Sequence, residues 1–317
     1  MTTTSTSRPR GRVPLDALIR RLTARDIWVL EMLLEHTYLT STHLTQLLGV
    51  SRRSVNRRLA TLTDLGLLSS FRPHHRPGSA PEHHLLGATG ASLLAARYAT
   101  TPAALGWHRD QATRALFSPF LTHDTGLRTF FIQLARPTTG GQLTGWWSER
   151  RCARLWGDLA APDGYGHHTG PHGQTAFFVE YDTGTEPLPR LAAKLDNYAE
   201  LATATRTRPL LLFTLHSTTR EINLHQRLNH HPALNRISVA TTGRDQHHPA
   251  ERAWLPLTHS AARANLAELP GAWPEHQHPA RAAFTEEQST QPSTGARHIP
   301  APGPVPPPHS TAVDRLR

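Results

Sequence analysis

Apolar residues recur at helical spacing through the first third of the chain. In LTARDIWVLEMLLEH, Thr23 stands at an N-cap position with Asp26 three residues on, and Leu22 and Ile27 lie at staple spacing. The pattern predicts a helix to about His36. Thr40 or Ser41 caps a second, short helix carrying Leu44, Leu47 and Leu48. Gly49 and Val50 make a turn, and Ser51 caps a third helix to about Asp64, ended by Gly66. Val55, Leu59 and Leu62 form the apolar stripe of that helix. Leu67–Arg72 and Glu82–Leu86 read as paired strands around the basic loop Pro73-His74-His75-Arg76-Pro77-Gly78. Thr89 is placed to cap a helix through Leu93 and Leu94. A helix-turn-helix followed by a hairpin is the winged helix-turn-helix pattern.

From residue 121 the pattern alternates. His123–Ala135 is an amphipathic helix, Gly145–Glu149 a strand, and a second strand begins at Ala161. Thr175–Tyr181 reads as a central strand, Pro187–Ala202 as a helix and Pro209–Thr214 as a strand buried on both faces. Glu221–Leu228 and Ile237–Thr241 add a helix and a strand. The predicted order is α-β-β-β-α-β-α-β, giving an α+β and α/β chain. Its predicted parts are a flexible basic arm (1–21), a winged helix-turn-helix (22–97), a connector (98–120), an α/β domain (121–270) and a disordered Pro-rich tail (271–317).

Composition narrows the function classes. Apolar runs such as Leu210–Phe213 fall far short of the roughly 20 residues that span a bilayer, and the polar start MTTTSTSRPRGR is no secretory signal. A cytoplasmic protein without membrane partners is expected. The single cysteine, Cys152, rules out an intrachain disulfide and a cysteine-based zinc site. The net charge of +10 favours phosphate-rich partners. On the third helix Arg53, Asn56 and Arg57 lie opposite the apolar stripe, flanked by Arg52 and Arg58, and the hairpin adds Arg72 and Arg76. Arg pairs bidentately with guanine and Asn with adenine, so this face suits double-stranded DNA. Its plain alternative is a solvated basic helix face.

Candidate chemistry gathers later in the chain. Asp163 follows Pro162, and Glu180 and Asp182 alternate with Tyr181 so that both carboxylates share one strand face. Converging carboxylates are hard oxygen ligands for Mg²⁺, with Mn²⁺ as a substitute, and such an ion activates water and neutralises phosphodiester charge. Among 34 basic residues Lys194 is the single lysine, on the sheet-facing side of its helix with Leu191 and Tyr198. Asp163, Glu180, Asp182 and Lys194 are therefore the candidate catalytic residues, with the three acids as metal ligands. The plainer alternatives are turn chemistry for Asp163 and pairing of Glu180 and Asp182 with Arg150, Arg151 or Arg190. Lys194 could equally be an ion-pair partner for Glu180, Tyr198 a core residue, and Glu149 a third acid or a surface charge. The adjacent histidine pairs are poor chelates, and no Gly-rich nucleotide loop is present.

The segment order, Pro-Asp and the following acid pair resemble the PD-(D/E)XK nuclease superfamily, implying an αβββαβ restriction-endonuclease-like domain. That pattern places a lysine two residues after the strand glutamate; here the position is Asp182, and the lysine stands on the next helix, in Lys194-Leu-Asp-Asn-Tyr198. Over most of its length the chain also resembles actinobacterial replication-relaxation proteins, through LTARDIWVLEMLLEH, SRRSVNRRLATLTDLGLL, WWSER, APDGYG and FFVEYDTGTEPLPRLAAKLDNYA. The resemblance implies a place in plasmid or mobile-element replication or transfer, with proteins of those processes as partners. Three readings follow: a metal-dependent DNA endonuclease, a non-catalytic DNA-binding accessory or regulator on a degenerate nuclease fold, and a transcription factor whose second domain binds a ligand or partner.

Overall fold

The computed structural model describes residues 18–73, 80–258, 262–273 and 299–308. They form two compact units, Met1–Thr122 with Gly295–Arg317, and His123–Thr294. The chain is a mixed α+β protein with a three-stranded and a mixed six-stranded sheet.

In the first unit, α1 (Ala24–His36) starts at a complete capping box: Asp26 N donates to the Thr23 hydroxyl and Thr23 N to the Asp26 carboxylate. A short strand that the sequence pattern did not indicate, β1 (Tyr38–Thr40), leads into α2 (Ser41–Leu48), which Thr40 caps. Gly49 takes a left-handed φ of 64° and turns the chain into α3 (Arg52–Asp64), capped by Ser51. Val55, Leu59 and Leu62 are buried, as their spacing requires. Then β2 (Leu68–Phe71) and β3 (His83–Leu86) form an antiparallel hairpin, and β3 also pairs with β1. The next helix, α4 (Ala88–Arg97), begins at Gly87 and not at Thr89. Thr89 instead donates its backbone N–H to Gly66 O, and a Cβ at Gly87 would meet the Leu68 backbone 2.9 Å away. A short α5 (Gln111–Leu116) follows within the region read as a connector. Arg76 and the rest of the hairpin loop from His74 lie outside the described residues. The tail, read from composition as disordered, includes the described segment 299–308, which hydrogen-bonds to α1 through Trp28 and Arg25.

The second unit is built around the larger sheet. Helix α6 (Leu121–Ala135) is followed by β4 (Gln142–Ser148) and by α7 (Glu149–Trp156), which the pattern did not separate from the strand. Ser148 caps α7, so Glu149 opens a helix and does not close a strand. Next come β5 (Gly164–Gly170), β6 (Gly173–Tyr181), α8 (Leu188–Thr205), β7 (Leu210–Leu215), α9 (Thr218–Leu228), β8 (Ser238–Gly243) and β9 (Leu255–Pro256). The sheet order is β4-β5-β6-β7-β8-β9, with β6-β7-β8 parallel and the other pairs antiparallel. The fully buried β7 explains its unbroken apolar run. Phe131 of α6 stacks on Trp146 and Phe177 at centroid distances of 5.2 and 6.2 Å, pinning that helix to the sheet. Among the described residues no helix is long and apolar enough to cross a membrane.

Candidate functional site

The start of β5 and the end of β6 lie side by side, Gly164 opposite Val179. Asp163, the residue before β5, therefore reaches the last residues of β6. Its backbone N–H bonds Val179 O at 3.1 Å, and its Oδ2 accepts the Tyr181 N–H at 2.6 Å. A Cβ at Gly164 would come within 2.7 Å of the Phe131 ring, so the glycine lets α6 pack over the start of β5. Between those anchor points Glu180 turns toward α8, buried at 1% exposure. Lys194 Nζ donates to its Oε2 at 2.7 Å and Tyr198 Oη to its Oε1 at 2.6 Å. One helical turn separates Lys194 from Tyr198, which is why a single face of α8 satisfies both oxygens of one carboxylate. Lys194 also lies 3.3 Å from Glu186.

Charge at the site is unbalanced toward the acids. Burial, reinforced by the Asp163 charge, pushes the Glu180 carboxyl upward against the pull of Lys194 and Tyr198. Burial draws Lys194 down, but the Glu180 charge and hydrogen bond, with Asp163 and Glu186, outweigh it and raise the ammonium. Glu149, at the start of α7, is raised by desolvation and by the charges of Asp163 and Asp124. His123 of α6 faces the same acids, at 3.2 Å from Asp163 Oδ2 and 3.4 Å from Asp124 Oδ1. Burial opposes its protonation, yet these hydrogen bonds raise it to about 10.

The structure thus brings Asp163, Glu180 and Lys194 together and adds His123, Glu149 and Tyr198. Asp182 stands apart. β6 ends at Tyr181, and beyond it the Asp182 N–H bonds Thr214 O of β7. Its carboxylate is gripped by Arg220 of α9 at 2.5 and 2.9 Å, and that guanidinium also bonds Glu186 O. Arg244 braces the same corner, donating to Asp182 O at 2.7 Å with its guanidinium 3.9 Å from the Tyr181 ring centroid. Among the described residues no group of three or more His, Cys, Asp or Glu side chains is arranged to hold a metal ion. Sequence reasoning missed His123, Arg220 and Arg244, which lie far along the chain from their partners; the carboxylates of Asp163 and Asp182 were visible, but not what holds them.

In the first unit Arg52, Arg53, Asn56 and Arg57 are exposed on α3. Arg52 and Asn56, with Arg72, line a cleft of about 620 Å³ between α3 and the β2–β3 hairpin. Arg72 stands 3.7 Å from Glu82. Arg58 points elsewhere: it clamps Asp26 of α1 at 2.5–2.7 Å and donates to Arg21 O. Burial opposes the Asp26 charge, but Arg58 and Thr23 hold that carboxyl below its ordinary value.

Fold and site together define a two-unit α+β protein with a basic helix face in one unit and a buried acid–lysine–tyrosine site in the other. The chain belongs to the replication-relaxation family, whose model matches residues 30–214. The matched stretch contains α3 and the whole of Asp163, Glu180, Asp182, Lys194 and Tyr198, and it stops short of Arg220 and Arg244. No curated protein and no solved structure gives a significant match.

Proposed function

We propose that this is a DNA-binding protein of plasmid or mobile-element replication or transfer, with a winged helix-turn-helix in the first unit and a PD-(D/E)XK-type nuclease-like domain in the second. Family membership supports the replication context. The helix order α1-α2-α3 followed by the β2–β3 hairpin supports the first assignment. The second is supported by α6, the antiparallel trio β4-β5-β6, the α8 crossover and parallel β7. The observation that carries the reading is Lys194 Nζ at 2.7 Å from Glu180, the carboxylate neighbouring Asp163.

In this reading Arg52, Arg53, Asn56 and Arg57 meet duplex DNA, with Arg72 at its edge. Asp163 and Glu180 are hard oxygen donors under mutual repulsion, the pair that would face a divalent cation once Glu180 exchanges a present donor for it; Asp182, held by Arg220, does not belong to that pair. Mg²⁺, or Mn²⁺ in its place, would supply water activation and charge neutralisation at a phosphodiester. Lys194 holds positive charge where a phosphate would lie, and Tyr198 fixes the Glu180 orientation. Asp182 and Arg220 act as positioning residues for the loop leading to α8.

One observation favours a second reading. Both Glu180 oxygens already have donors in Lys194 and Tyr198, an arrangement equally suited to a non-catalytic accessory. Mn²⁺ binding followed by electron paramagnetic resonance tests the metal assignment, with duplex binding measured on the same samples. The proposal expects Mn²⁺ affinity to fall in Asp163→Ala and Glu180→Gln but not in Asp182→Asn, with DNA affinity unchanged. Equal Mn²⁺ binding in all four proteins would remove the metal site and leave the accessory reading.

A further inference from the structure

The segment 299–308 carries Pro300, Pro302, Pro304, Pro306, Pro307 and Pro308. Proline has no backbone N–H, so this stretch of ten residues offers a partner ten carbonyl acceptors against four backbone donors. It also enters binding with little conformational freedom to lose. A surface that reads it therefore needs projecting donors beside an aromatic or apolar floor. The N-terminal half of α1 supplies both. The Trp28 indole N–H donates to Gly303 O at 2.8 Å, and Arg25 Nε donates to Pro307 O at 2.8 Å. The two acceptors stand four residues apart in the segment, and the two donors three apart on the helix. Arg25 is itself fixed from behind, its second nitrogen donating to Leu48 O at the end of α2. Between the two anchored carbonyls Pro304 is buried and Val305 is turned outward at 47% exposure. Trp28 is 6% exposed with the segment in place.

We propose that the Trp28–Arg25 face of α1 is a reading site for proline-rich segments, occupied by residues 299–308 of this chain. The inference is independent of the site around Glu180. It assigns the Pro-rich tail a ligand role on the first unit. The occupant is the chain's own tail; the tail of a second copy is the contrary outcome of the test.

The experiment uses the full chain labelled with ¹⁵N-tryptophan, the Trp28 indole resonance being assigned by Trp28→Phe. A full-length variant carrying Pro304→Ser, Pro306→Ser and Pro307→Ser should shift that resonance, leaving the other indoles in place. A synthetic peptide spanning 299–308 added to this variant should return it to the wild-type position. Arg25→Gln in the same background should weaken the return several-fold. Sedimentation then identifies the source. A wild-type monomer assigns the seat to the chain's own tail, and a wild-type dimer that the triple variant dissolves assigns it to a second copy. An indole resonance indifferent to both the triple substitution and the peptide would overturn the proposal.

Discussion

Lys194, the single lysine of the chain, holds the buried Glu180 at 2.7 Å from one turn before the tyrosine that holds its other oxygen. Among the described residues Glu180 has no other cation against it, and a further charge acting on it, that of Asp163, is also acidic. Removing the ammonium leaves that carboxylate buried without its cation. Lys194→Met should cost about 2–3 kcal/mol, below the usual range for a fully buried pair because Lys194 is 31% exposed. Urea denaturation measures the loss. Adding Glu180→Gln should recover much of it, and a double-mutant cycle with no coupling would sink the pairing as an energetic unit.

Arg58 separates from its neighbours on α3. Arg53→Ala and Arg57→Ala should weaken duplex binding and each lower the salt-dependence slope by about 1, without changing stability. Arg58→Ala should leave the slope intact and instead destabilise the first unit by about 1–3 kcal/mol, because Asp26 loses its bidentate partner. Fluorescence anisotropy across a salt series, with thermal melting on the same proteins, reads both effects.

His84 gives the first unit an acid limit. Burial lowers it to about 4, and among the described residues its Nδ1 has no hydrogen-bond partner. Its folded value lies below the unfolded one, so the unfolded state binds the extra proton. Stability is fully present above about 6.5 and falls as pH drops from there toward 4. His84→Gln should flatten this part of the stability–pH curve measured by denaturation. An unchanged slope would place the acid sensitivity elsewhere.

Asp182 tests the difference between ligand and brace. Asp182→Asn keeps the shape but loosens Arg220, which also bonds Glu186 O on the approach to α8. We expect a stability loss of about 1–3 kcal/mol with Mn²⁺ affinity unaltered. A fall in Mn²⁺ affinity equal to that of Asp163→Ala would return Asp182 to the ligand set.

How much was legible follows from where each signal resides. Local caps and stripes carried the helices: Thr23, Ser51, Val55, Leu59 and Leu62 each act within one or two turns. The inward aim of Lys194 followed from its place beside Leu191 and Tyr198 on one face. The helix α7 was missed because Glu149 and its arginines continue the polar pattern after Trp147, and only the Ser148 cap marks the break. Strand alternation put Glu180 and Asp182 on one face, but alternation holds only while the strand lasts, and β6 ends between them. Arg58 occupies a wheel position beside the basic face, and the Asp26 that claims it belongs to another helix. Partners such as His123 with Asp163, or Arg220 with Asp182, are made by the fold and leave no spacing in the sequence.

The proposed function assigns DNA binding to the first unit and DNA processing to the Asp163–Glu180–Lys194 cluster. The most direct measurement is incubation of the full chain with supercoiled plasmid in Mg²⁺ or Mn²⁺, alongside Asp163→Ala and Lys194→Ala. Nicked or linear product is expected with the wild type and none with either variant, all three binding plasmid equally in a gel-shift assay. Cleavage that persists undiminished in both variants, or plasmid left intact by a wild-type protein that binds it, would contradict a catalytic role for the cluster.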